Sequence, residues 1–113
     1  MGSFETSEAH SSQAHQPVRV PILKEDVYRA AREMVDDLDA WTVVAADDEQ
    51  LLLRCERKGG LMGGTSTITV SVEGPDGIPS ATVNVRSESK GGLLSRDKSN
   101  VAEFVVPFHR RVC

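Results

Sequence analysis

One phrase occurs twice in this chain: Lys58-Gly59-Gly60-Leu61-Met62 and Lys90-Gly91-Gly92-Leu93-Leu94. A lysine ammonium beside paired glycines suits anion binding. The cation supplies charge, and glycine lets backbone N–H groups approach a ligand closely. Arg86 and Ser89, just upstream of the second copy, add a guanidinium and a hydroxyl. The candidate anion- or partner-binding set is therefore Lys58, Gly59, Gly60, Arg86, Ser89, Lys90, Gly91 and Gly92. A plain structural role also fits these residues. Gly59, Gly60, Gly63 and Gly64 then serve only a flexible hairpin, and Leu61, Met62, Leu93 and Leu94 fold inward to plug the core. Turned outward, the same apolar residues form a docking surface.

Other reactive side chains lack company. Neither Gly-rich stretch has the lysine placement of a P-loop or the G-x-G-x-x-G spacing of a dinucleotide site. His10 and His15 lie in a polar opening stretch, and His109 has no second ligand at helical spacing, so no metal site is expected. Cys55 falls inside a strand pattern with no base to pair with it, which predicts a buried, inert thiol. Asp47-Asp48 reads as a solvated turn. No catalytic constellation or cofactor motif emerges, and the chain reads as a non-enzyme.

The elements that must hold these residues follow from periodicity. Lys24 to Leu38 carries Val27, Ala30, Ala31, Met34, Val35 and Leu38 on one stripe, which predicts a helix. Val18 to Ile22 suits a short edge strand, with Pro21 barring a central place. Four strands follow, at Trp41–Ala46, Gln50–Arg57, Thr65–Glu73 and Ala81–Ser89. The third alternates Ile68, Val70 and Val72 with Thr67, Thr69 and Ser71, the pattern of a sheet covered on one face only. Gly74-Pro75-Asp76-Gly77 is a turn by composition. A closing helix from about Asn100 to Arg111 has Val101, Phe104, Val105 and Phe108 on its stripe, with Asn100 and Glu103 as a capping pair. Pro107 predicts a kink or an early end. Trp41 reads as a core anchor.

The expected fold is two-layer α+β, an antiparallel four-stranded meander with an N-terminal and a C-terminal helix on one face (α-β-β-β-β-α). In such a meander both Lys-Gly-Gly loops leave from one rim, beside the start of the last helix. The acidic turns at Asp47-Asp48-Glu49 and Asp76 gather at the other rim. The opening helix ends at the basic rim, so Asp36, Asp37 and Asp39 are placed to neutralise its lysines.

At 113 residues the chain suits one domain. Residues 1–16 are polar apart from Phe4 and are expected to form a disordered tail, leaving 17–113 as the folded domain. Met1-Gly2-Ser3-Phe4-Glu5-Thr6 also fits the loose N-myristoylation pattern, which a cloning remnant or chance can reproduce. Hydrophobic content of 39% and charged content of 27% are those of an ordinary soluble domain, and no run is long enough for a membrane span. Two cysteines do not make a disulfide scaffold, which favours a reducing, cytoplasmic setting. Residues 1–50 hold 4 basic and 11 acidic groups, and residues 51–113 hold 9 and 6, for a net charge of −4. An acidic chain argues against nucleic acid as a partner. Free sheet edges leave dimerisation open.

Val85-Arg86-Ser87-Glu88-Ser89-Lys90-Gly91-Gly92, then Asp97 and Asn100 ahead of an apolar helix, resembles the closing segment of a bacterial family. That family is known only as domain of unknown function number fourteen ninety-nine. The spacing to Asp97 is longer here, and Gly63-Gly64-Thr65 stands where the family has paired aspartates. The resemblance implies no activity.

These readings converge on a small, non-catalytic binding or interaction module. It would use the basic, Gly-rich rim for an anionic small molecule or an acidic protein. The alternative is a carrier of a small apolar ligand or lipid, with a pocket between helices and sheet lined by Ile68, Val70, Val83, Phe104 and Phe108.

Overall fold

The computed structural model describes residues 2–59, 64–89 and 96–112. Of the expected site, Gly60, Lys90, Gly91 and Gly92 lie outside the described residues, as do Leu61, Met62, Gly63, Leu93, Leu94 and Cys113.

Strands β3 (Trp41–Asp47), β4 (Leu52–Lys58), β5 (Thr65–Glu73) and β6 (Ala81–Ser89) pair antiparallel in sequence order, as a meander. Their register explains the alternation. Cys55 faces Ile68 and Ile68 faces Ser87; Leu53 faces Val70 and Val70 faces Val85. Partners across a ladder share a face, and these six are all fully or almost fully buried. The opposite face presents Arg54, Glu56, Thr67, Thr69, Asn84 and Arg86.

Two helices cover the buried face. Helix α1 (Lys24–Asp37) contributes Val27, Ala31, Met34 and Val35, and helix α2 (Asp97–Val112) contributes Val101, Phe104, Val105 and Phe108 to one continuous core. Phe104 stacks obliquely on Phe108 at 5.1 Å and on Trp41 at 6.1 Å between ring centroids. Truncating either phenylalanine would cost roughly 3–5 kcal/mol. The two-layer α+β expectation holds.

The strand count does not. The sheet has six strands, because the N-terminal segment supplies β1 (Gly2–Glu5) and β2 (Val18–Val20). Both pair with the outer edge of β6, β1 along residues 86–89 and β2 along 81–83. The stretch 1–16, expected as a tail without structure, thus holds a strand and a short 3-10 turn at Gln13–His15 within its described part. Backbone pairing on a distant strand needs little apolar content, so composition could not reveal it. Helix α2 also begins three residues earlier than expected, and it continues through Pro107 rather than ending there.

Turn chemistry is local and conforms. Asp47 Oδ1 accepts from the Glu49 and Gln50 N–H groups, and buried Leu51 then adopts a left-handed φ of 56°. Gly77 has φ 72°, and a Cβ on Gly74 would run into the Ser80 carbonyl oxygen.

Candidate functional site

One rim of the sheet gathers the ends of several strands. Register aligns Trp41 with Arg57, Arg57 with Ser66, Ser66 with Ser89, and Ser89 with Gly2. One step further out, Lys58 pairs with Thr65, and the Gly59 N–H donates to the Gly64 carbonyl at 3.2 Å. The β4 and β6 ends therefore finish at a common rim, about 10 Å apart across β5. Helix α2 starts at that rim, and α1 ends in the three-residue link to Trp41.

The inward row here is polar. The alternation that buries Ala81, Val83 and Val85 continues on β6 into Ser87 and Ser89. Asp97, 1% exposed, accepts hydrogen bonds from Ser87 Oγ and Ser89 Oγ, each at 2.6 Å. One turn along α2, the Asn100 amide donates to Ser87 Oγ at 3.2 Å, and Ser66 and Ser89 hydroxyls share a bond of 3.0 Å. Every buried side-chain N or O among the described residues is partnered. A charge sits at 1% exposure only when hydrogen-bonded in this way. The network clamps the first turn of α2 onto the end of β6.

Glu103 extends the seam. Arg57 grips it with two bonds of 2.9 Å, and the Trp41 indole N–H donates to the same carboxylate. Burial alone would raise the Glu103 pKa. The hydrogen bonds from Arg57 and Trp41 outweigh it, and the carboxyl titrates below its ordinary 4.5. Asn100 and Glu103 are thus not a capping pair. Both lie inside the helix and face the sheet.

The expected site residues divide. Lys58 is exposed at the rim and makes no ion pair among the described residues, while Asp37 of α1 pairs with Arg111 instead. Gly59 closes the β4–β5 stem beside it. Ser89 turns inward to Asp97. Arg86 points from the outer face and pairs with Glu88 at 3.2 Å, so it does not join Ser89. Exposed Arg96 and Lys98 flank the start of α2. Sequence reasoning missed Ser66, Ser87, Asp97, Asn100 and the Arg57–Glu103 pair as one assembly. Residue parity along β5 and β6 was the available signal.

Elsewhere the groups are quieter. Cys55 is fully buried, and burial pushes its thiol up to about 12. At the acidic rim, Tyr28 O–H and Arg32 both reach Asp48, and Lys24 pairs with Asp76. No group of three or more potential metal ligands occurs among the described residues. None of their helices is long and apolar enough to cross a membrane. Ile68, Val70, Val83, Phe104 and Phe108, expected to line a pocket, are all at 0% exposure within the packed core. Open clefts lie instead where the 3-10 turn meets α2. One of about 280 Å³ is bordered by Gln16, Val18, Arg19 and His109, and one of about 190 Å³ by Ala14, Val105 and Val106. Gln13 and His109, hydrogen-bonded at 3.2 Å, border both.

No family model matches the chain, and no curated protein matches it. Solved structures do. The chain is similar to TTHA0849 from Thermus thermophilus, at 15% identity over 98% of this chain and 97% of that one, with a TM-score of 0.63. Ara h 8.0201 shares 11% identity over 98% and 94% of the two chains, with a TM-score of 0.57. The Zhui aromatase/cyclase from Streptomyces sp. R1128 shares 7% over 97% and 85%, with a TM-score of 0.56. At such identities the likeness is one of fold, the helix-grip arrangement of an antiparallel sheet holding a C-terminal helix.

Proposed function

We propose that the chain is a non-catalytic binding domain that takes a small organic anion, a carboxylate or phosphate on an apolar body, at the basic rim. One observation carries this reading. Exposed Lys58, free of ion pairs among the described residues, stands at the same rim as Ser89, from which the sequence runs directly into Lys90. Arg96 and Lys98 add exposed cations, whereas Arg57 is neutralised by Glu103. Each stem continues in sequence into Gly-Gly-Leu, so cation, permissive backbone and apolar side chain adjoin twice. The resemblance to family fourteen ninety-nine is retained as part of the proposal. Four residues that carry it, Ser87, Ser89, Asp97 and Asn100, form the buried clamp.

The test is an NMR titration with octyl phosphate, octanoate and inorganic phosphate. Amides of Lys58, Gly59, Ser89 and Arg96 should shift with the amphipathic anions. Lys58→Glu with Lys90→Glu should abolish the shifts while moving stability by less than about 0.5 kcal/mol, as surface changes do. Undiminished binding by the double variant would refute the reading.

A second reading, an apolar-ligand carrier, draws on the fold shared with a protein named as an aromatase/cyclase. The five side chains assigned to its pocket are packed against one another, so a ligand there must displace α2. Fatty-acid displacement of an apolar dye, with shifts at Ile68 and Phe104, would favour it.

A further inference from the structure

We propose that residues 2–16 form a strap latched onto β6 and α2 by a histidine cluster, and that acidification releases it. The strap has few anchors. β1 holds the rim half of the β6 edge and β2 the other half. Buried Thr6 bridges them: its N–H donates to the Val85 carbonyl at 2.9 Å, and its hydroxyl accepts from the Val85 N–H at 3.0 Å. The chain then leaves the sheet in a loop closed by the Ser7 N–H on the His15 carbonyl at 3.0 Å. No residue of its 3-10 turn is buried. Segments held so lightly open well below the cost of global unfolding.

Aromatic contacts complete the latch. Phe4 points inward opposite Ser87 and is half-buried. His10 stacks on it at 4.6 Å, and His15 meets it edge-on at 5.2 Å. His10 Nε2 is hydrogen-bonded to the Glu5 carbonyl at 3.0 Å. His15 is the group of this cluster whose proton affinity docking lowers.

The charges around His15 are unfavourable to a proton. From α2 comes Lys98, whereas His109 and Arg110, in the last turn of that helix, are not among the groups that act on His15. From the strap comes His10. Glu8 is engaged by Arg19, and alternation turns the Glu5 carboxylate to the outer face. No carboxylate is among the groups that act on His15. Partial burial first, then Lys98 and His10, hold its pKa below the ordinary 6.5, against a weaker opposing hydrogen bond with the Lys98 backbone. A docked strap therefore binds a proton less readily than a free one. Docking is strongest above pH 6.5 and weakens as pH falls through 6.5 toward the lower docked value. Release would uncover Phe4 and the β6 edge up to Ser89, a strand edge open to another chain.

Amide hydrogen exchange of the full chain tests this, with Thr6 and Val85 as reporters and Ile68 as the core reference. After correction for intrinsic rates, reporter protection relative to Ile68 should fall at least about twofold between about pH 7.5 and 5.5, the local-opening regime. His15→Gln should flatten that dependence, and Lys98→Gln, on a separate and exposed position, should reduce it. Protection that does not change with pH, or variants as steep as the parent, would overturn the proposal.

Discussion

Replacing Asp97 with alanine should be the most damaging single polar substitution in this protein. The carboxylate is 1% exposed and accepts from Ser87 and Ser89 at 2.6 Å. A hydrogen bond to a charged group contributes about 1.5–3 kcal/mol, and a buried donor left without an acceptor costs about 1–3 kcal/mol. Asp97→Ala removes both bonds. Ser89 keeps its contact with Ser66, but Ser87, at 0% exposure, loses the acceptor for its own proton and retains only the Asn100 amide. The expected loss is roughly 3–5 kcal/mol, set by two charged bonds less the partial rescue of Ser89. These two bonds are not all that Asp97 makes, so the figure is a lower count. Urea unfolding followed by fluorescence of the single, buried Trp41 provides the measurement. The pairwise term comes from a cycle with Ser87→Ala, where coupling of about 1–2 kcal/mol is expected for directly bonded partners. A loss under about 1 kcal/mol, or strict additivity, would refute the account of the clamp.

Glu103 gives a pH signature: its carboxyl titrates below 4.5 when folded, so its contribution is full above that value and is lost as pH falls through the lower folded pKa. With 34% of the Glu103 side chain in solvent, the pair contributes on the order of 1 kcal/mol, and Glu103→Gln should flatten the acid limb of a stability–pH profile by that amount. Cys55 should resist thiol reagents at neutral pH in a Cys113→Ser background, reacting only as fast as the fold opens, because its thiolate forms near about 12. Fast labelling without loss of structure would contradict that burial.

Much of the meander was legible because its signal is local. Ile68, Val70 and Val72 alternate with hydroxyl residues, and the register seats each of the three on the core face. The clamp was legible in parity but not in chemistry. Counting by twos from Ala81 reaches Ser87 and Ser89, and counting from Ile68 back reaches Ser66, yet a row of hydroxyls carries no sign of the partner it meets. What turned them inward was a partner beyond the loop, Asp97, whose position depends on where α2 starts. That start was misplaced because Asn100 and Glu103 mimic a cap, while their real partners are Ser87 and Arg57. Of the two N-terminal strands, β2 left a local trace, the edge-strand pattern from Val18 to Ile22, whereas β1 left none. Gly2-Ser3-Phe4-Glu5 is ordered by pairing with residues some eighty positions away, which no short window can report.

The two chemistries at the rim depend on one another. Replacing a buried ionic network by apolar side chains is often neutral for stability, so its worth lies more in fixing a single arrangement than in net free energy. Asp97 bonded to two serines one strand-pleat apart, and Glu103 gripped bidentately by Arg57, add directional contacts that favour one position of α2 on the sheet. That position sets where the chain leaves β6 and where it re-enters α2, and so holds both ends of the connection carrying Lys90. The same seam ties Trp41 and Arg57, and through Arg57 the stem that ends in Lys58.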